Sequence, residues 1–182
     1  MSRTSVVRFA VAAVALCAAP AFASTATLSV TSSAFSQGGR IPQQYAAAAC
    51  DGKNLSLPLK WSRAPGLTQS LVLSVYDPDA GGGAGFWHWI VYDLPRGTRA
   101  LPSSKDGSAL PHGTVTARNS AGTRAWFGPC PPHGTPHHYR FTVYALDTPY
   151  AQMKPGSAPG AILGAISSHV LAAGTLTGIY GR

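Results

Sequence analysis

Short strand-like runs of hydrophobic residues, several of them alternating with polar ones, dominate this chain. Leu28-Ser29-Val30 opens the pattern. Leu57 to Trp61 predicts a short strand after the turn-forming run Asp51-Gly52-Lys53-Asn54. Leu71 to Tyr76 is a compact run of Val and Leu, the mark of a buried strand. Trp87 to Asp93 and Tyr139 to Asp147 alternate and carry aromatic and β-branched residues, which pack well on a pleated surface. Gly and Pro clusters separate these runs: Ala64-Pro65-Gly66, Gly81-Gly82-Gly83, Leu94-Pro95-Arg96-Gly97 and Pro129 to Pro136. Between Pro102 and Arg124 the periodicity is weak, which predicts a long surface loop. One helix is predicted, with Pro159 in its first turn, Ile162, Ile166 and Val170 on one face, and Leu163 and Leu171 beside them. Gly174 would end it, leaving Leu176 to Arg182 as a short extended tail. The elements predict a mainly β architecture with a late helix.

The first residues follow a different pattern. Arg3 and Arg8 precede an apolar stretch from Phe9 to Ala19, and Ala21-Phe22-Ala23 places small residues before Ser24. This predicts a secretory signal over residues 1–23, cleaved before Ser24, and a periplasmic or secreted protein. The stretch is too short for a permanent transmembrane anchor. Leu16 precedes Cys17 where a lipoprotein signal wants a small residue, which argues against lipidation. Residues 24–182 then form one domain, long enough to bury roughly 68–70% of its unfolded surface without a staple.

Charge narrows the partners. The whole chain carries a net charge of +8, and losing Arg3 and Arg8 leaves +6. All six acidic residues are Asp. Such a balance favours anionic partners. The basic residues are scattered without a Lys/Arg run, so no nucleic-acid groove is expected. Cys50 and Cys130 remain in the mature chain. In an oxidising compartment they could form a bridge worth roughly 4 kcal/mol, or stand as two thiols lining a pocket.

Chemistry concentrates in two Pro-bearing segments. Tyr76-Asp77-Pro78-Asp79-Ala80 leads into Phe86-Trp87-His88-Trp89, and Gly128-Pro129-Cys130-Pro131-Pro132-His133-Gly134 leads into His137-His138-Tyr139. Asp77 suits a turn that caps its own backbone, or a carboxylate at a pocket mouth, and the bond to Pro78 could be cis. Alternation puts His88 on the face opposite Trp87 and Trp89, and puts His137 with Tyr139 opposite His138. A metal-dependent or thiol hydrolase built on His133, His137, His138 and Cys130 is the competing reading. No metal-ligand spacing and no nucleophile elbow supports it. No glycine-rich loop opens a helix, so no cofactor is expected.

Together these segments resemble the phosphatidylethanolamine-binding protein family, in its bacterial Raf kinase inhibitor-like branch. The likeness rests on Asp77-Pro78-Asp79-Ala80, His88-Trp89-Ile90-Val91-Tyr92, Gly128 to Pro132 and His137-His138-Tyr139, with Cys50 to Ser56 and Gly178-Ile179-Tyr180-Gly181 in support. The resemblance implies a large antiparallel sheet packed with a smaller sheet, and a C-terminal helix. It implies a pocket of Asp77, Phe86, His88, Gly128, Pro129, His137 and Tyr139 for a small anionic or phosphorylated ligand such as a phosphoethanolamine-like headgroup. It further implies a binding protein, not an enzyme, that acts as a kinase- or protease-inhibitor-like regulator of a target protein. A regulator of that kind could present the 102–124 loop to its target.

Overall fold

The computed structural model describes residues 26–149, 153–154 and 156–182. The expected signal at 1–23 lies outside them. Nine strands make two sheets. β1 (Ala26–Thr27), β4 (Ser70–Asp77), β5 (Phe86–Pro95), β7 (Val115–Thr116), β8 (His137–Leu146) and β9 (Val170–Tyr180) form a sheet ordered β1-β9-β8-β4-β5-β7. β2 (Val30–Thr31), β3 (Leu59–Trp61) and β6 (Ala100–Leu101) form the smaller one, ordered β2-β3-β6. All pairings are antiparallel except β1 with β9.

The main core lies between the sheets. Val30, Leu59, Trp61 and Leu101 of the small sheet pack with Leu71, Leu73, Val75, Val91, Phe141 and Val143 of the large one. The outer face of the large sheet buries Val72, Ile90, Tyr92 and Leu146 with Ile162 and Ile166 of helix α1 (Pro159–Ile166). β4 is therefore covered on both faces, which is why its sequence is apolar nearly throughout.

The helix is shorter than the sequence predicts. α1 stops at Ile166, a 3₁₀ turn spans Ser167–His169, and Val170, Leu171 and Gly174 belong to β9. Residues 170–176 satisfy both periods, and the long ladder with β8 decides between them, burying Ala172, Gly174, Leu176, Gly178 and Tyr180 at every second position. Gly174 is not a helix stop: a Cβ there would collide with the Leu28 carbonyl. The 102–124 stretch also departs from a free surface loop. It contributes β7 to the sheet edge and buries Ala117 and Asn119. Every described peptide bond is trans, Asp77-Pro78 included.

Candidate functional site

β4 ends at Asp77, β5 begins at Phe86 and β8 begins at His137, so the antiparallel order brings all three to one edge of the large sheet. A cavity of about 250 Å³ opens there, lined by Asp77, Phe86, His88, Phe127, His137 and Tyr139 on one side and by Asp79 to Gly82 and Cys130 to Pro132 around its mouth.

His88 reaches the cavity through a β-bulge. Val75 pairs with Trp89 and Tyr76 with Trp87, so His88 is an extra residue in β5. Trp87 stacks on Tyr76 at the outer face, whereas His88 and Trp89 both turn inward to Trp126. Simple alternation, which sets His88 opposite both tryptophans, is thus corrected: His88 shares its face with Trp89. The ladder of β8 with β9 is regular from His137 to Ala145, and His137 and Tyr139 are buried while His138 is exposed.

Hydrogen bonds set the protonation pattern. The Asp77 Oδ1 accepts the backbone N–H groups of Asp79 and Ala80 at 2.9 and 3.2 Å, and Oδ2 accepts from His137 Nδ1 at 2.8 Å. Asp77 is therefore both the cap of its own turn and a wall of the cavity. Burial pushes its carboxyl up, but the His88 and His137 rings and the Asp79 N–H outweigh this and hold it below the ordinary value. The His88 Nδ1 lies 2.6 Å from the Phe127 carbonyl, which can only accept, so Nδ1 carries the proton. The same reasoning protonates the His137 Nδ1. With Nδ1 so committed, Nε2 is the remaining ring nitrogen of each histidine, and the His88 Nε2 sits 3.9 Å from the Asp77 carboxylate. Tyr139 is fully buried, its Oη finds no hydrogen-bond partner within the protein, and burial followed by the Asp77 charge raises its pKa. It stays a donor. Aromatic rings pack around His88, with Phe86 at 4.8 Å and Tyr139 at 5.1 Å between centroids.

Gly128 and Pro129 stand behind the wall and do not line the cavity. Gly128 N–H donates to Asn54 Oδ1 at 2.8 Å, and the Pro129 carbonyl accepts from Ala47 N–H at 3.1 Å. A Cβ at Gly128 would collide with the Tyr45 to Ala47 backbone, whereas Phe127 lines the cavity. Asn54 Nδ2 also donates to Asp106 Oδ1 and the Trp126 carbonyl, which makes it the anchor of the wall. In sequence Asn54 looks like a turn residue, and no local signal marks this role. Asn119 closes the neighbouring loop by bonds to Thr123 and the Ala125 carbonyl, just before Trp126 and Phe127.

The competing hydrolase cluster does not assemble. Cys130 is joined to Cys50 with their Cα atoms 5.6 Å apart, and a disulfide sulfur is no thiolate nucleophile. His138 faces outward onto Asp79 at 2.8 Å, and His133 is exposed away from the cavity. Among the described residues no three side chains are grouped to hold a metal. None of them forms a helix long and apolar enough to cross a membrane.

A two-sheet β protein with one small preformed cavity at the sheet edge is the class these elements define. Similarity to known proteins narrows it. The phosphatidylethanolamine-binding protein family model matches residues 31–181. A UPF0098 protein of Methanothermobacter thermautotrophicus is 41% identical over 151 residues, covering 82% of this chain and 95% of the relative. YbcL of Escherichia coli is 37% identical over 165 residues, covering 87% and 90%. The YbcL crystal structure, described as a member of the mammalian family, superposes with a TM-score of 0.80 over 86% of this chain and 99% of that one. A carboxypeptidase Y inhibitor solved with its cognate proteinase shares the fold alone, at 18% identity and a TM-score of 0.53 over 87% and 84%. The chain belongs to the phosphatidylethanolamine-binding protein family.

Proposed function

We propose that the cavity binds a small anionic or phosphorylated group of the phosphoethanolamine kind, and that the protein is a binding protein without catalytic chemistry. One observation carries this reading. The Tyr139 hydroxyl, buried without a hydrogen-bond partner in the protein, and the His88 and His137 rings, whose Nδ1 atoms are already engaged, belong to residues lining one cavity. Buried polar groups require partners, and an oxyanion would supply them. An anion at Nε2 is held only where that atom carries a proton to donate, and the ionised Asp77 suits the amine of a zwitterionic headgroup. No activated nucleophile lines the cavity, since Cys130 is bridged.

A periplasmic or secreted location is supported by the leader pattern at 1–23 and by the Cys50–Cys130 bridge. For the inhibitor-like role there is no such support. The 102–124 stretch that would face a target is tied down by β7 and Asn119.

Isothermal titration with phosphoethanolamine and with inorganic phosphate tests the binding reading. His88→Ala and His137→Ala should each weaken binding at least tenfold while the protein stays folded. No binding by the intact protein, or binding by both variants as tight as that of the intact protein, overturns it.

A further inference from the structure

The end of β4 opposite the Asp77 cavity carries a second cluster. Two turns meet there, residues 63–68 before β4 and residues 96–99 after β5, held together by the Ser70–Pro95 pairing. Arg63, Arg96, Arg99 and Thr68 line a cleft of about 210 Å³ between them. No carboxylate lines it, and none of the three arginines enters an ion pair among the described residues. All three arginines are exposed, and a bound anion would supply the counter-charge that the cleft lacks.

Two further observations point to a ligand. Thr68 is 4% exposed, and its Oγ1 is buried without a hydrogen-bond partner in the protein. A hydroxyl in that position costs free energy that a ligand oxygen would recover. Leu67, next in sequence, is 77% exposed and is the exposed large hydrophobic residue among those described.

We propose that this cleft is a second oxyanion site, for the phosphate group of a phosphomonoester or phosphodiester, with Leu67 touching the apolar part of the molecule that carries it. The planar guanidinium fork matches phosphate oxygens, and Thr68 adds a hydroxyl donor. β4 is eight residues long, which sets the two sites about 25 Å apart at opposite ends of the strand. A protein held by this cleft on a phosphate-bearing surface would keep its Asp77 cavity open and facing away.

Nuclear magnetic resonance of the full mature chain tests the proposal, following the arginine Nε–H signals of Arg63, Arg96 and Arg99 and the Thr68 amide. Inorganic phosphate should shift these signals saturably, and the Arg96→Gln/Arg99→Gln double variant should weaken binding at least tenfold. Vesicles of phosphatidylglycerol in phosphatidylcholine should bind more tightly than phosphate, because each basic residue near an anionic surface contributes on the order of fivefold. Leu67→Ser should remove that advantage. Phosphate binding with no gain on vesicles would assign the site to a soluble ester, and vesicle binding to a lipid headgroup. Absence of shifts with both probes, or binding unchanged in the arginine double variant, overturns the site. Vesicle binding unchanged in Leu67→Ser overturns the apolar contact. The signals belong to the Arg end of the molecule, so failure here is distinguishable from failure at His88 and His137.

Discussion

Tyr139→Phe separates stability from binding in sign. The Tyr139 ring is fully buried against His88, and its hydroxyl has no hydrogen-bond partner in the protein. A buried polar group left unpaired costs about 1–3 kcal/mol, and phenylalanine keeps the ring while deleting that cost. The variant should therefore unfold no earlier than the native chain. At roughly 2–4 °C per kcal/mol for a domain of this size, the gain is measurable by calorimetry. Binding moves the other way. A hydrogen bond to a charged ligand contributes about 1.5–3 kcal/mol, so affinity for phosphoethanolamine should fall by roughly 10- to 100-fold. Thermal unfolding without ligand and titration calorimetry with it read the two effects separately. Destabilisation by more than about 1 kcal/mol would mean that the hydroxyl bonds within the protein. Unchanged affinity would remove Tyr139 from the ligand set.

Three more expectations follow from the same geometry. Both Nδ1 atoms are already committed as donors, so an anion must recruit Nε2 protons, and binding should take up protons from the buffer. Titration in two buffers of different ionisation enthalpy counts those protons, and a pH-independent affinity refutes the tautomer assignment. The Asp77 carboxyl lies below its ordinary value of 3.8, so the unfolded chain takes up that proton first. Its stabilisation is complete above that value and is lost as pH falls through the lowered one. Asp77→Asn should lose stability at pH 7, and its denaturation curve should converge with the native one in acid; a gap that does not change with pH contradicts this. Gly174→Ala should destabilise by about 1–3 kcal/mol, because its Cβ meets the Leu28 carbonyl in β9. Chemical denaturation of the variant reads the shift, and an unchanged or raised midpoint contradicts the clash.

Much of the fold was legible because strand alternation and turn chemistry are local. Leu71 to Tyr76 and Tyr139 to Asp147 predict strands, and both appear, as Ser70–Asp77 and as His137–Leu146, which stops short of Asp147. His137 and Tyr139 share a face because β8 runs regularly through them. Where a partner strand intervenes, local pattern loses its hold. The bulge at His88 exists only in the pairing of β5 with β4, and it turns two consecutive side chains inward. Val170 to Gly174 fit a helical stripe as well as a strand, and the β8 ladder satisfies far more backbone groups than one further turn of α1 would.

The candidate site divides the same way. By itself the sequence determined which chemistries were on hand: a carboxylate in a Pro-locked turn, imidazoles and a phenol at strand starts, and no glutamate. It also determined, through the family motifs, that they belong together. Only the tertiary structure decided which atoms face the cavity. Asn54, more than 70 residues before Phe127, pins the wall so that Phe127 turns inward and Gly128 and Pro129 turn away. The Cys50–Cys130 bridge and the cleft of Arg63, Arg96 and Arg99 likewise join distant segments. Side-chain type and local period are properties of neighbouring residues, whereas convergence, burial and the partner of each polar atom depend on segments that meet only when the sheets pack.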